Sequence, residues 1–228
     1  MIVETDIEIY RRDTFWTKEP ETIAWIESFE DGKTFFDVGA NIGLYSLYAA
    51  SLHPNLQIYA FEPMPSNFIR LLQNKELNGF TNLHCFNVAV GDDSRMIDLY
   101  IPKIDVGESG AQVDNNSDEH DETFHANSVE KVLQIELDSF HKCEYLKIDV
   151  DGKEKSVLNG FGKHLATRYI DPDSVLVECN PKQIAIETLI EYMSGLSYTS
   201  YNPFNHHPDH SRNRRGGDPE NIVFTRKD

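Results

Sequence analysis

The chain has 228 residues, 39% of them hydrophobic, with 21 Lys plus Arg against 38 Asp plus Glu and a net charge of −17. That length suits one domain with a sizeable core. So negative a chain repels a phosphate backbone, and no apolar run approaches the ~20 residues of a membrane span, which argues against nucleic acid as partner and against a bilayer-crossing helix.

No basic-then-apolar leader opens the sequence, so the expected location is cytoplasmic. Cys85, Cys143 and Cys179 form no C-x-x-C and fall in strand-like runs, as buried thiols do. Residues 1–30 read as an N-terminal extension to a domain over 31–228. Ile7-Glu8-Ile9-Tyr10 suggests an edge strand. Pro20 followed by Glu21 opens a short helix with Ile23, Ile26 and Phe29 on one face, placed to cover one end of a sheet.

From Thr34 strands and helices alternate: strand 34–38, helix 44–53, strand 57–61, helix 65–76, strand 83–87. This alternation predicts an α/β fold, a mostly parallel twisted sheet with helices on both faces. Pro54 ends the first of these helices and Asn78-Gly79 the second. Residues 96–101 and 132–137 read as further strands. Between them an acidic insertion over 103–130 shows little periodicity and carries Asp105, Glu108, Asp114, Asp118, Glu119, Asp121 and Glu122. Its length fits a solvated loop or a lid over substrate. Then follow strand 144–150, helix 153–165 with Asp151-x-x-Glu154 as a capping box, strand 174–179, helix 182–194, and strands 198–201 and 222–225. An antiparallel last strand would bring the loop 202–221 over the same face as the carboxyl ends of the core strands.

Ligands of open α/β sheets lie beyond those carboxyl ends. The rule gathers Asp37-Val38-Gly39-Ala40-Asn41-Ile42-Gly43, Glu62-Pro63, Asn87-Val88-Ala89, Asp149 and Glu178. A strand, a glycine turn and a helix start make a cofactor seat, because backbone approaches closely and free N–H groups point outward. The dinucleotide fingerprint G-x-G-x-x-G is absent, since Asn41 stands at its second glycine. An acid before the first glycine suits a cationic ligand, and Glu62 is placed to accept both ribose hydroxyls. Asp149 is the leading general base and Glu178 the second. Alternatively, carboxylates across a small gap hold a divalent cation such as Mg²⁺. In the 202–221 loop, His206, His207, His210 and Arg212 are candidate substrate contacts, with Arg214 and Arg215 nearby. The H-H-x-D-H run lacks the i, i+4 spacing of a helical zinc site.

The spacing Asp37-x-Gly39-x-x-x-Gly43 resembles motif I of the Rossmann-like class of S-adenosylmethionine-dependent methyltransferases. Together with Ala60-Phe61-Glu62-Pro63, Asn74 with Leu77-Asn78-Gly79, Asn87-Val88-Ala89-Val90-Gly91, Leu137-Asp138 and Lys147-Ile148-Asp149-Val150-Asp151-Gly152, it resembles the FkbM methyltransferase family over about residues 34–180. The resemblance implies a class I methyltransferase fold and S-adenosylmethionine as donor. It implies a hydroxyl acceptor on a sugar or natural product. Asp37, Gly39, Ala40, Asn41, Gly43, Glu62 and Pro63 would bind the cofactor, Asn87, Val88 and Ala89 would flank its adenine, and Lys147 and Asp149 would face the reacting methyl. Where the family commonly has Glu-Gly-x-Glu, this chain has Asp151-Gly152-Lys153-Glu154.

The resulting expectation is an O-methyltransferase of a sugar or glycan hydroxyl. The chain would work as a homodimer or within a larger glycan-modifying polypeptide. The alternatives are an O-methyltransferase of a small natural product or lipid headgroup and, from another class, a non-catalytic binding module with the cofactor fold.

Overall fold

The computed structural model describes residues 1–114, 125–137, 140, 142–151, 153–167 (backbone alone for 164–167), 171–180, 184–201, 203 and 219–227. The core is a seven-stranded sheet built from β1 (Thr34–Val38), β2 (Gln57–Phe61), β3 (Leu83–Phe86), β8 (Tyr145–Ile148), β9 (Ser174–Cys179), β10 (Tyr198–Tyr201) and β11 (Glu220–Arg226). Its order is β10-β11-β9-β8-β1-β2-β3, parallel except for β11, which runs against both neighbours. The expected antiparallel last strand is therefore present.

Alternate residues of each strand feed two cores. Phe36, Leu146, Ile148, Val175 and Val177 pack with α5 (Glu154–Thr167) and α6 (Ile186–Gly195). Phe35, Ile58, Tyr145 and Leu176 pack with α2 (Pro20–Glu27), α3 (Leu44–Leu52) and α4 (Pro65–Asn78). Burial on both faces is why the strands read as continuous apolar runs. Gly79, at φ 66°, closes α4 in the left-handed conformation that its position after Asn78 suggested. Among the described residues no helix is long and apolar enough to cross a membrane.

Three features depart from the sequence reading. Residues 7–10 are not a strand; they lie in α1 (Asp6–Lys18), whose N-terminus is a capping box. Thr5 Oγ1 accepts the Glu8 N–H at 3.2 Å, and Glu8 Oε2 accepts the Thr5 N–H at 2.9 Å. Secondly, Asp151 does not start α5. It sits at φ 49° with its carboxylate on the Gly110 N–H, while Glu154 reaches back to the Val150 N–H and the first turn closes on the Lys153 carbonyl. Thirdly, the 103–130 insertion is not free of regular structure: the strands read at 96–101 and 132–137, β5 (Arg95–Ile101) and β7 (Ser128–Ile135), stand in a separate four-stranded sheet, ordered β4-β7-β5-β6, with β4 (Ala89–Val90) and β6 (Gln112–Val113) at its edges. The insertion thus contributes β6 and the start of β7. Residues 115–124, the stretch of the lid reading between them, lie outside the described residues.

Candidate active site

An open cavity runs along the carboxyl ends of β2, β1, β8 and β9, where the crevice rule placed it. Its floor is the turn after β1. Gly39 takes φ 83°, and a Cβ there would stand 1.7 Å from the Asp149 carbonyl oxygen, so only glycine lets the turn cross β8 this closely. The Gly39 and Ala40 N–H groups both bond the Phe61 carbonyl at 3.0 Å, which ties the turn to the end of β2. Gly43 has a different job: its missing side chain makes room for Leu71 of α4, whose Cδ1 would lie 2.3 Å from a Cβ.

Glu62 lines the cavity from the end of β2. Its two oxygens accept N–H groups from Asn41 (2.8 Å) and Met64 (2.9 Å), which aims the carboxylate and leaves further lone pairs for a ligand. Burial outweighs those hydrogen bonds and pushes its carboxyl up to about 7. Val88, Ala89 and Pro63 line the same end, and the exposed Asn87 is outside the lining, its amide holding the Glu62 and Pro63 carbonyls. Asn41 is likewise spent on structure: its amide donates to the Glu108 carbonyl at 2.9 Å and its oxygen accepts from Ile42.

The other end of the cavity is a buried charge cluster. Lys147 on β8 is 1% exposed, 2.7 Å from Asp149 and 3.8 Å from Asp37, with its ammonium over the Tyr45 ring. Burial alone would lower the lysine; Asp149, Asp37 and Glu19 outweigh it and hold the ammonium firmly protonated. Burial likewise works to raise Asp149, but Lys147 overrides it and keeps that carboxyl below its ordinary range. Glu178 goes the opposite way, pushed well up by the charge of Asp149, then by burial, Asp151 and Glu19. The two acids, neighbours at the ends of adjacent strands, are thus pushed in opposite directions. Asp37 is 1% exposed behind the turn; its Oδ2 accepts from Ser46 at 2.5 Å, and its Oδ1 finds no hydrogen-bond partner among the described residues.

The residues gathered by sequence thus meet in one place, with Asp37 and Gly43 behind the wall and Asn87 outside it. His206, His207, His210, Arg212, Arg214 and Arg215 lie outside the described residues. Sequence reasoning missed α1, whose Arg11, Thr14, Phe15 and Lys18 recur at helical spacing along the cavity's outer wall. The signal was there in Thr5-Asp6-Ile7-Glu8, a capping-box pattern. It also missed residues 106–111, which strap the cavity. Gly107 accepts from Arg11 Nε and donates to Asn67, and the Glu108 carbonyl receives both Asn41 and Asn67 amides.

The Methyltransferase FkbM domain matches residues 37–205, most of the chain. The chain belongs to the FkbM methyltransferase domain family. Among curated relatives, Methyltransferase 1 of Beauveria bassiana is 24% identical over 152 residues, covering 59% of this chain and 61% of that protein. The 31-O-demethyl-FK506 methyltransferase FkbM of Streptomyces tacrolimicus is 49% identical over 43 residues, 19% of this chain and 16% of the relative. The match therefore spans less than two thirds of either relative's length. Solved structures share the fold of this FkbM domain. An rRNA methylase from Streptococcus thermophilus superposes with TM-score 0.52 at 12% identity, covering 99% of both chains. SMU.1697c of Streptococcus mutans, in complex with SAH, gives 0.52 at 8% identity over 99% of this chain and all of that one. Such identities speak for the fold alone, that of class I methyltransferases.

The cavity of the FkbM domain fits an S-adenosyl donor on its own terms. A glycine floor admits close backbone approach, a carboxylate with spare lone pairs suits a pair of ribose hydroxyls, and an acid-rich far end suits a sulfonium and an ammonium. Among the described residues no group of three or more His, Cys, Asp or Glu side chains comes together as a metal site.

Proposed function

We propose that this FkbM domain transfers a methyl group from S-adenosylmethionine to a hydroxyl oxygen of a sugar or glycan. The observation that carries the reading is the placing of Asp149 and Glu178 together on the cavity wall beside the glycine turn, with Asp149 2.7 Å from the buried Lys147 ammonium.

When bound, the donor supplies a methyl group on positively charged sulfur. The chain's residues must align the acceptor, exclude water and receive the acceptor's proton. A hydroxyl becomes strongly acidic as its oxygen bonds to carbon, so the base need not be strong. It must be ionised and aimed. Asp149, held low by Lys147 and lining the cavity beside the glycine turn, is the group to do this. As the methyl passes from sulfur to the hydroxyl oxygen, C–S bond breaking as C–O bond forms, the hydroxyl proton would pass to the Asp149 carboxylate. Lys147 keeps that carboxylate charged beforehand and is a positioning residue. Glu178 lends Asp149 a hydrogen bond that helps it stay ionised. The net charge of −17 favours a hydrophilic, uncharged acceptor over an anionic one.

The test is a methyl-transfer screen with labelled donor over sugars and glycans. Asp149→Asn is expected to bind S-adenosylhomocysteine normally and to lose at least about a hundredfold in turnover; near-normal turnover would remove Asp149 from the mechanism. With Asp149 as the direct base, turnover persists in EDTA. Loss in EDTA and recovery with Mg²⁺ would instead put a divalent cation on the carboxylates. The relative of Streptomyces tacrolimicus is by its name a 31-O-demethyl-FK506 methyltransferase, and this supports a second acceptor class to include in the screen, a small natural product.

A further inference from the structure

Glu19 joins α1 to α2, between Lys18 and Pro20. Its carbonyl accepts the Thr22 and Ile23 N–H groups, so the backbone starts the second helix. Its side chain makes no capping bond; it turns into the cavity, where it is 5% exposed. Oε1 receives the Lys18 ammonium at 2.8 Å, and Oε2 finds no hydrogen-bond partner among the described residues. The Tyr45 hydroxyl stands beside the same carboxylate, and a further donor from a ligand would complete the satisfaction of its buried Oε2.

The sheet order says which part of the ligand arrives. Glu62 marks the ribose end at β2, while the charge of Glu19 is felt by Lys147 on β8 and Asp149 just past its end, two strands away. Two strand spacings are about 10 Å. That is roughly the reach of the donor from its ribose hydroxyls through sulfur to its α-nitrogen. The amino-acid end carries an ammonium and a carboxylate side by side, and Glu19 and Lys18 present the two opposite charges in the same arrangement. We propose that Glu19 and Lys18 seat the amino-acid end of the methyl donor, with Glu19 Oε2 accepting from its α-ammonium. This rests on S-adenosylmethionine being the donor.

Calorimetry with two probes tests it: S-adenosylhomocysteine, which has the amino-acid end, and 5′-methylthioadenosine, which lacks it. Glu19→Gln is expected to weaken the first about tenfold or more and to leave the second within twofold. Equal weakening of both, or of neither, overturns the proposal. Wild-type protein that binds neither probe would overturn the donor reading itself. If Glu19→Gln fails to fold, Lys18→Met carries the same comparison, and unchanged S-adenosylhomocysteine affinity in it overturns the proposal too.

Discussion

Lys147→Met removes the cation that the buried carboxylates share and keeps most of its volume. The ammonium is 1% exposed, 2.7 Å from Asp149 and 3.8 Å from Asp37. Charges about 4 Å apart attract by about 4 kcal/mol at an effective dielectric near 20, a gross figure largely offset by desolvation. Removing one partner is worse than never having had the pair, because the carboxylates stay buried; the expected loss is roughly 3–5 kcal/mol. The loss depends on pH. In the wild type Asp149 is held low, so its stabilisation is present above about pH 4 and disappears as pH falls through its lower folded-state value. Without Lys147, burial prevails and the folded state keeps protons that the unfolded chain releases above about pH 4. The deficit should therefore already be present at pH 5, through the lost Asp149 stabilisation, and be larger at pH 8. Urea unfolding followed by circular dichroism across that range measures it. A deficit of the same size at every pH, or one below about 1 kcal/mol at pH 8, would refute the reasoning.

Glu62 must be ionised to accept both ribose hydroxyls, and burial holds its carboxyl at about 7. S-adenosylhomocysteine affinity should therefore rise about tenfold between pH 6 and pH 8; calorimetry showing a flat profile would detach Glu62 from the ribose. Gly39→Ala should cost about 1–2 kcal/mol through φ 83° alone, and the contact with the Asp149 carbonyl adds to it by forcing β1 and β8 apart. Donor binding should be lost, and an alanine variant with normal affinity would mean that the floor of the cavity is not where the structure puts it.

The core strands were legible because both faces are buried: Thr34–Val38, Gln57–Phe61 and Ser174–Cys179 stand where their apolar runs put them. Their carboxyl ends then located Asp149 and Glu178 without any view of the side chains. What stayed hidden depends on contacts distant in sequence. β5 and β7 alternate like ordinary strands, and nothing local says that they pair with each other in a second sheet. Helix α1 turns charged side chains toward a cavity rather than an apolar stripe toward a core, so its periodicity is mute and only its capping box speaks. Asp151 looks like a helix cap in sequence, yet Gly110, 41 positions earlier, claims its carboxylate.

The reversed last strand also decides where a probe can be attached. β11 runs its seven residues away from the cavity's rim, and the Arg226 N–H meets the Asp173 carbonyl at the opposite edge of the sheet. A fluorophore or bead coupled at Lys227 would sit roughly 20 Å from the chamber. The same label on α1 would press against its wall, so single-molecule or surface-capture work should tether this domain through the far edge.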